Sequence, residues 1–184
     1  MLAPRDSRSR ESRRLDGLWR FRIDPGAEGS ADRWWERPLG GTREMAVPAS
    51  YNDLVTDAAE REHVGDVWYQ RDVRVPASWE GRRIVLRCDA ATHRGTVWVG
   101  DTEVADHVGG YTPFEADVTA ALRPGRNTIV VEVANAWMNR LIAEARQPTG
   151  EIFAPVASVY EPDATIRPAG LTGPVVLVAA LPQE

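Results

Sequence analysis

The sequence predicts an all-β fold, a single jelly-roll β-sandwich. Short runs of alternating apolar and polar residues recur along the chain, and turn residues separate one run from the next. No long amphipathic helix interrupts these runs, which favours two packed sheets over a mixed fold. The strands are spread over most of the chain with long crossings between them, and this spacing favours the jelly-roll arrangement.

The length and composition of the chain suit one domain. It has 184 residues, of which 43% are hydrophobic, and this is enough for one substantial core. Met1 to Arg14 is polar, rich in Arg and Ser, and predicts a flexible N-terminal arm. The sandwich is then expected over residues 15–184, starting with a turn at Leu15–Gly17 and a half-buried strand at Leu18–Ile23.

The clearest strand signal lies between Val67 and Val75. One face carries Val67, Tyr69, Arg71, Val73 and Val75, and the other carries Trp68, Gln70, Asp72 and Arg74. Further strands are predicted at Ile84–Cys88, Thr96–Val99, Thr102–Ala105, Asn127–Ala134 and Val175–Leu181. Gly100–Asp101 predicts a two-residue hairpin turn. Val175–Leu181 is apolar on both faces, which indicates a central, covered strand.

Two segments, residues 137–151 and 151–172, lack a clear period and predict long loops. Binding residues concentrate on loops beside a regular scaffold. Trp137 and Tyr160 are therefore candidate sugar platforms, and the simpler interpretation is that they pin the loops onto the sandwich. Trp68 and Trp98 lie in strands and are interpreted as packing residues rather than sugar contacts. Tyr51-Asn52-Asp53 predicts a turn whose polar side chains bond their own backbone.

Composition argues against several functional classes. The net charge is −5, without the clustered basic surface that nucleic-acid binding needs. No apolar run approaches the ~20 residues of a membrane helix, and Met1 to Arg14 lacks the apolar stretch of a secretory signal. Cys88 is the only cysteine, so no internal disulfide can form, and a cytoplasmic setting is expected.

The residues also predict no cofactor and no metal. His63, His93 and His107 are widely separated and lack metal-ligand spacing. Cys88 points inward on a strand and is predicted to act as a small hydrophobe rather than a nucleophile. No Ser, His and Asp set indicates a nucleophile elbow.

An ordered series of motifs resembles one family. The motifs are Leu15-Asp16-Gly17-Leu18-Trp19, Trp34-Trp35-Glu36, Val47-Pro48-Ala49-Ser50-Tyr51-Asn52-Asp53, Gly65-Asp66-Val67-Trp68-Tyr69-Gln70-Arg71, Arg83-Ile84-Val85-Leu86-Arg87, Ala91-Thr92-His93, Val97-Trp98-Val99 and Gly109-Gly110-Tyr111-Thr112-Pro113-Phe114-Glu115-Ala116-Asp117-Val118. This series is similar to the N-terminal, galactose-binding-domain-like sandwich of β-glucuronidases in glycoside hydrolase family 2. The resemblance covers most of residues 15–135.

The resemblance implies an enzyme with three parts, a jelly-roll domain, an immunoglobulin-like domain and a catalytic TIM barrel. Two Glu residues of the barrel act in a retaining mechanism. This chain stops at Glu184, so it is expected to contain no catalytic residue. In the family, an Asp ahead of the segment that resembles Arg167–Leu171 reaches the sugar pocket. Ala164 stands at that position here, and the adjacent Asp163 is the candidate ligand-binding residue.

Three functions follow as hypotheses. The chain is predicted to be a non-catalytic, sugar-binding-like scaffold and pocket-rim module, with a weak carbohydrate ligand and the two downstream domains as partners. The alternatives are a free-standing lectin-like protein and a part of an active β-glucuronidase that works only with its barrel. An isolated module is also expected to expose apolar surface and to form a homo-oligomer.

Overall fold

The computed structural model describes residues 5–134 and 167–181, and within them ten strands form two antiparallel sheets. The strands are β1 (Arg10–Arg14), β2 (Gly17–Asp24), β3 (Arg43–Val47), β4 (Asp66–Val75), β5 (Arg83–Cys88), β6 (Arg94–Val99), β7 (Thr102–Val108), β8 (Phe114–Asp117), β9 (Gly125–Ala134) and β10 (Val175–Ala180). Two single-turn helices, α1 (Tyr51–Leu54) and α2 (Ala58–Arg61), and 3-10 turns at Trp34–Glu36 and Ala77–Trp79 complete the described elements.

The two sheets confirm the predicted all-β sandwich. One has four strands in the order β1-β10-β5-β8, and the other has six in the order β3-β2-β4-β9-β6-β7. Most neighbouring strands are distant in sequence, as long crossings require, and the exceptions are β2 beside β3 and β6 beside β7. β6 and β7 are joined by the two residues Gly100 and Asp101, which confirms the predicted hairpin.

The core lies between the inward faces of the two sheets. On β4, the alternate residues Val67, Tyr69, Val73 and Val75 are buried there, as the sequence predicts. Arg71 shares their face, but its guanidinium donates to the carbonyl oxygens of Leu15 (2.7 Å) and Asp16 (2.9 Å) at the rim. These hydrogen bonds satisfy the charged guanidinium, so it is not left unpaired in the core. They also fix the turn that precedes β2.

β10 is an interior strand of the four-stranded sheet, in agreement with its apolar sequence. Val175, Val176, Leu177 and Ala179 are all buried, so both of its faces are largely covered. It pairs with β5 on one side and with β1 on the other.

The predicted flexible arm over Met1–Arg14 is wrong for Arg10–Arg14. These residues form β1 and pair with β10 from Arg10 opposite Ala180 to Arg14 opposite Val176. Backbone hydrogen bonds at a sheet edge hold this strand. Its side chains therefore need no alternation of apolar and polar residues, and the sequence pattern does not reveal it. Asp6 adds a local tie, since its carboxylate accepts from the backbone N–H (2.7 Å) and hydroxyl (2.6 Å) of Ser12.

The predicted turn at Tyr51-Asn52-Asp53 is instead the helical turn α1, and its polar side chains reach distant backbone. The Tyr51 hydroxyl donates to the carbonyl of His63 (2.8 Å), and Asn52 Nδ2 donates to the carbonyl of Arg61 (2.5 Å). Both side chains are buried. They tie α1 to the segment that leads into β4, a long-range role that local turn chemistry does not reveal.

Candidate functional site

The outer face of the six-stranded sheet carries rows of polar and aromatic side chains. Strand register places Trp68 of β4 opposite Glu132 of β9, and Glu132 opposite Thr96 of β6. Two residues further along, Gln70 lies opposite Val130, and Val130 lies opposite Trp98. Because side chains alternate along a strand, both rows point away from the core between the sheets.

The segment between β2 and β3, residues 25–42, folds back over this face and is called the cover loop below. Asp24 holds its first part. The carboxylate accepts from the backbone N–H groups of Glu28 (2.9 Å) and Gly29 (2.8 Å) and from Trp68 Nε1 (3.2 Å). Asp24 is buried, and these three donors balance the loss of its hydration.

Gln70 holds the last part of the cover loop. Its Oε1 accepts from the backbone N–H of Leu39 (2.9 Å) and from Arg20 (2.8 Å), while its Nε2 donates to the carbonyl of Arg37 (2.9 Å). The side chain is only 1% exposed, so a residue on the nominally polar face of β4 is fully enclosed. Asp24 and Gln70 thus hold the first and last parts of the cover loop against the sheet by hydrogen bonds.

Four tryptophans pack between the cover loop and the sheet. Trp34 and Trp35 come from the loop, and Trp68 and Trp98 come from the strands. Trp35 stacks on Trp98 with ring centroids 4.7 Å apart and planes within 6°. Trp68 lies 5.5 Å from Trp98 and is fully buried. The interpretation of Trp68 and Trp98 as packing residues is confirmed, although they pack outside the main core in a second cluster.

The backbone of the cover loop explains how the loop approaches so closely. Gly29 lies against the Trp68 indole, where a Cβ would come within 2.5 Å of ring atoms. Arg33 has φ 52° and ψ 54°, in the left-handed region that few non-glycine residues adopt. That turn begins the 3-10 segment in which Trp34 is buried and Trp35 stays partly exposed.

Two cavities flank Trp35, which lines both of them. The smaller is about 400 Å³ and includes Trp98, Glu132, Asp66 and Arg94 in its lining. The larger is about 780 Å³ and includes Arg20, Asp72 and Arg126. Each has the volume of a small-molecule pocket. The partly exposed indole of Trp35 therefore lies between the two cavities.

Carboxylates dominate the smaller cavity. Burial, together with the negative charge of Asp66, raises the pKa of Glu132 to about 7. Burial and the charge of Asp24 also raise the pKa of Asp66. Ser30 donates to Glu132 at 3.1 Å. Arg94 is committed elsewhere, since it makes a bidentate pair with Asp106 at 2.7 Å for both bonds.

An ion-pair network forms one side of the larger cavity. Asp72 accepts from Arg20 and Arg126, both at 2.7 Å, and from the Thr128 hydroxyl at 3.0 Å. Partial burial opposes ionisation, but the hydrogen bonds from Arg126, Thr128 and Arg20 outweigh it and lower the pKa of Asp72. Asp72 therefore stays ionised and fixes both arginines.

Replacing Glu132 with glutamine is expected to stabilise the protein at pH 8 and to change it little near pH 4.5. The folded pKa of about 7 lies above the ordinary 4.5, so the folded state binds the proton more tightly and stability falls as pH rises through this window. Glutamine resembles the protonated acid and removes that fall. After discounting for partial exposure, we expect a gain of about 1–2 kcal/mol at pH 8.

Urea denaturation at both pH values measures this effect. The exposed Glu103, on the rim of the same cavity, provides the matched control as Glu103→Gln. An equal change in stability at both pH values would contradict the assignment of Glu132.

The predicted ligand-binding residues Trp137, Tyr160 and Asp163 lie outside the described residues, as does Ala164. The structure does place the two ends that bracket them. Ala134, at the end of β9, borders the smaller cavity. Ala169, Gly170 and Leu171 are buried on the sandwich, where the carbonyls of Ala169 and Leu171 accept from the backbone N–H groups of Tyr51 and Ala49, both at 3.0 Å.

Other candidate chemistry is not assembled in the described part of the chain. His63, His93 and His107 do not meet, and no group of three or more His, Cys, Asp or Glu residues there could hold a metal ion. Burial raises the pKa of the Cys88 thiol to about 12, so Cys88 behaves as the predicted small hydrophobe. No described helix is long and apolar enough to cross a membrane.

Sequence reasoning missed the cover loop and both cavities. The motif Trp34-Trp35-Glu36 was visible, but nothing local indicates that it lies over Trp68 and Trp98. A possible signal was the pair of large aromatics on the polar faces of β4 and β6, since such faces normally contact water.

Comparison with known proteins places this fold. Residues 12–147 match the family described as glycosyl hydrolases family 2, sugar binding domain. A β-glucuronidase of Paenibacillus borealis is 48% identical over 139 residues, which are 76% of this chain and 23% of that protein. The rat β-glucuronidase is 37% identical over 180 residues, covering 92% of this chain and 26% of the rat protein.

Solved structures agree. A β-glucuronidase of an uncultured Clostridium species superposes with a TM-score of 0.79 at 34% identity, over 98% of this chain and 31% of that one. The Lactobacillus rhamnosus β-glucuronidase gives 0.77 at 36% identity, over 98% and 30% of the two chains.

Fold and site together define a β-sandwich module with a tryptophan-filled outer face. The chain belongs to the sugar-binding domain family of the family 2 glycosyl hydrolases. It spans about a quarter of the length of the curated relatives it matches.

Proposed function

We propose that this chain works as the non-catalytic N-terminal module of a β-glucuronidase-type glycosidase, beside an immunoglobulin-like domain and a catalytic barrel. The observation that carries the proposal is the extent of the match, which takes in 98% of this chain but only 31% of the clostridial β-glucuronidase. The module would cover one side of the barrel and shape the rim of its pocket. Its own affinity for a monosaccharide would be weak, near millimolar, or about −4 kcal/mol.

The module is expected to contribute to catalysis by position only. A retaining glycosidase needs a nucleophilic carboxylate and a protonated acid about 5–5.5 Å apart across the scissile bond. Asp66 and Glu132 share the smaller cavity with Glu103 at its rim, and Glu132 has a raised pKa. Burial and their mutual repulsion account for that shift, and we assign them no catalytic role.

Turnover of p-nitrophenyl β-D-glucuronide tests the proposal in two arms. The purified chain alone is expected to show no turnover above buffer. A chimera in which it replaces the N-terminal domain of the Lactobacillus rhamnosus enzyme is expected to keep turnover within about tenfold of the parent, about 1.4 kcal/mol in activation free energy.

Two controls make the result decisive. The same enzyme without any N-terminal domain measures what the module supplies, and Glu132→Gln in the isolated chain exposes contamination by host enzyme. Turnover by the chain that Glu132→Gln abolishes would overturn its non-catalytic role. A folded chimera no better than the truncated enzyme would overturn the scaffold role.

A lectin-like protein is the second candidate, and the two cavities beside Trp35 are the observation that favours it. The two functions differ in affinity. Calorimetric titration with glucuronides and simple hexoses separates them, because micromolar binding by the isolated chain would favour a lectin over a scaffold.

A further inference from the structure

We propose that Trp35 and the two cavities beside it form a binding groove for an acidic oligosaccharide, one with carboxylate groups on its sugar rings. The inference rests on the proposed function in taking a saccharide as the ligand. It adds where the saccharide binds, that the saccharide carries negative charge, and that it has more than one sugar ring.

The shape of the outer face supports a ligand of several rings. The cavities of about 780 Å³ and 400 Å³ share Trp35 as a wall, so a molecule that enters both must pass the indole. The C–H face of a pyranose is apolar and packs on an indole, while its hydroxyls reach polar groups to either side. A linear chain of rings matches this sequence of polar, aromatic and polar surface.

Trp35 is held ready for such a contact. Its stacking on Trp98 at 4.7 Å fixes the ring plane, so little side-chain freedom would be lost when a sugar packs on it. The ring stays partly exposed, unlike the enclosed Trp34, Trp68 and Trp98. Arg33 lies 6.0 Å from the centroid, at the outer limit of a cation–π contact, and its side chain is 60% exposed and can move aside.

The larger cavity supplies cations for a carboxylate. Its described lining holds Arg20, Arg37, Arg123 and Arg126 against Glu36, Asp72 and Asp101. Asp72 already engages Arg20 and Arg126, and Glu36 pairs with Arg33. Arg37 and Arg123 have no carboxylate partner among residues 5–134 and 167–181, so they are the guanidiniums that a ligand carboxylate would meet. A guanidinium presents a planar fork that fits a carboxylate by two parallel hydrogen bonds.

The smaller cavity suits the hydroxyls of a neighbouring ring. Asp66 and Glu132 offer acceptor oxygens, and Ser30 lies beside them. Because the pKa of Glu132 is raised to about 7, that group is largely uncharged in mildly acidic solution. It then repels an acidic ligand little, and its O–H can donate to a sugar oxygen.

Titration at pH 6 with two tetrasaccharides tests the groove. The acidic probe is a hyaluronan tetrasaccharide, and the neutral probe of equal length is chitotetraose. Calorimetry gives Kd, and the indole N–H signals in nitrogen-15 NMR spectra report where each probe binds. We expect millimolar Kd for the acidic probe, at least fivefold weaker binding of the neutral one, and the largest shift at the signal that Trp35→Ala removes.

Variants separate the two parts of the groove. Trp35→Ala is expected to weaken both probes at least fivefold, with the remaining indole signals still dispersed as in a folded chain. The surface pair Arg37→Gln with Arg123→Gln should bring the acidic probe to the affinity of the neutral one. Arg8→Gln, an exposed change away from both cavities, should alter neither.

Equal affinity for the two probes, an unaffected double arginine variant, or no shift at Trp35 would overturn the groove. Absence of binding to both probes would do the same. None of these results touches the scaffold role, which the chimera tests by turnover. An inactive chimera with intact, charge-selective binding would remove the scaffold role and leave the groove.

Discussion

Replacing Gly170 with alanine is expected to destabilise the fold by about 2–5 kcal/mol, because strain and overlap act together. The residue has φ +109°, a backbone conformation that residues with a side chain rarely adopt. A Cβ there would overlap the Tyr69 hydroxyl. The backbone cannot move away easily. Gly170 N–H donates to Thr92 Oγ1 at 2.7 Å, and its carbonyl accepts from Thr92 N–H at 3.1 Å.

Urea denaturation measures the loss, and Gly40→Ala is the matched control. Gly40 has no heavy atom within 4 Å of a built Cβ and no positive φ, so the change should cost less than about 1 kcal/mol. A cost for Gly170→Ala no larger than that for Gly40→Ala would show that the segment is not clamped as described.

Trp68→Ala is expected to cost about 3–5 kcal/mol, as for other large-to-small changes in a packed interior. The indole is fully buried on the outer side of the sheet, and its Nε1 donates to Asp24. Its loss would leave a cavity beneath the cover loop and remove one of the three donors to a buried carboxylate. The cover loop should therefore loosen together with the fold.

Two further variants separate the packing of the Trp68 ring from its hydrogen bond to Asp24. Trp68→Phe keeps most of the ring but removes the donor, and should cost about 1–3 kcal/mol. Leu18→Ala, at a residue that is 59% exposed on the same sheet, should cost less than about 0.5 kcal/mol. Urea denaturation gives the three values, and acrylamide quenching of tryptophan fluorescence should rise in Trp68→Ala before unfolding. A cost below about 1 kcal/mol for Trp68→Ala would mean that the outer cluster adds little to stability.

These two changes address different parts of the sandwich. Gly170 belongs to the segment that hydrogen bonds to Thr92 hold against the Tyr69 ring. Trp68 supports Trp35 through the aromatic stack, and so it positions the proposed groove without touching a ligand. The first change thus tests the packing of the segment 169–171 on the sandwich, and the second tests the outer face.

Local sequence pattern was enough to predict several of the strands and the family. Alternation over Val67–Val75 predicted β4, and the strand signal at Asn127–Ala134 predicted β9, because the period of side chains along a strand is a local property. The ordered motifs from Leu15 onward indicated the glycosidase family that comparison then showed. The missing alternation in Arg10–Arg14 hid β1, since edge pairing uses backbone groups common to every residue.

The covering of the outer face of the six-stranded sheet depends on tertiary contacts. Gln70 and Trp68 alternate with core residues, so local pattern assigns them to the polar side, yet both are enclosed by the cover loop. That enclosure depends on Asp24, Gly29 and Trp35, which contact distant strands through hydrogen bonds, close backbone approach and ring stacking. Such contacts depend on three-dimensional fit across the chain, and no local period encodes them.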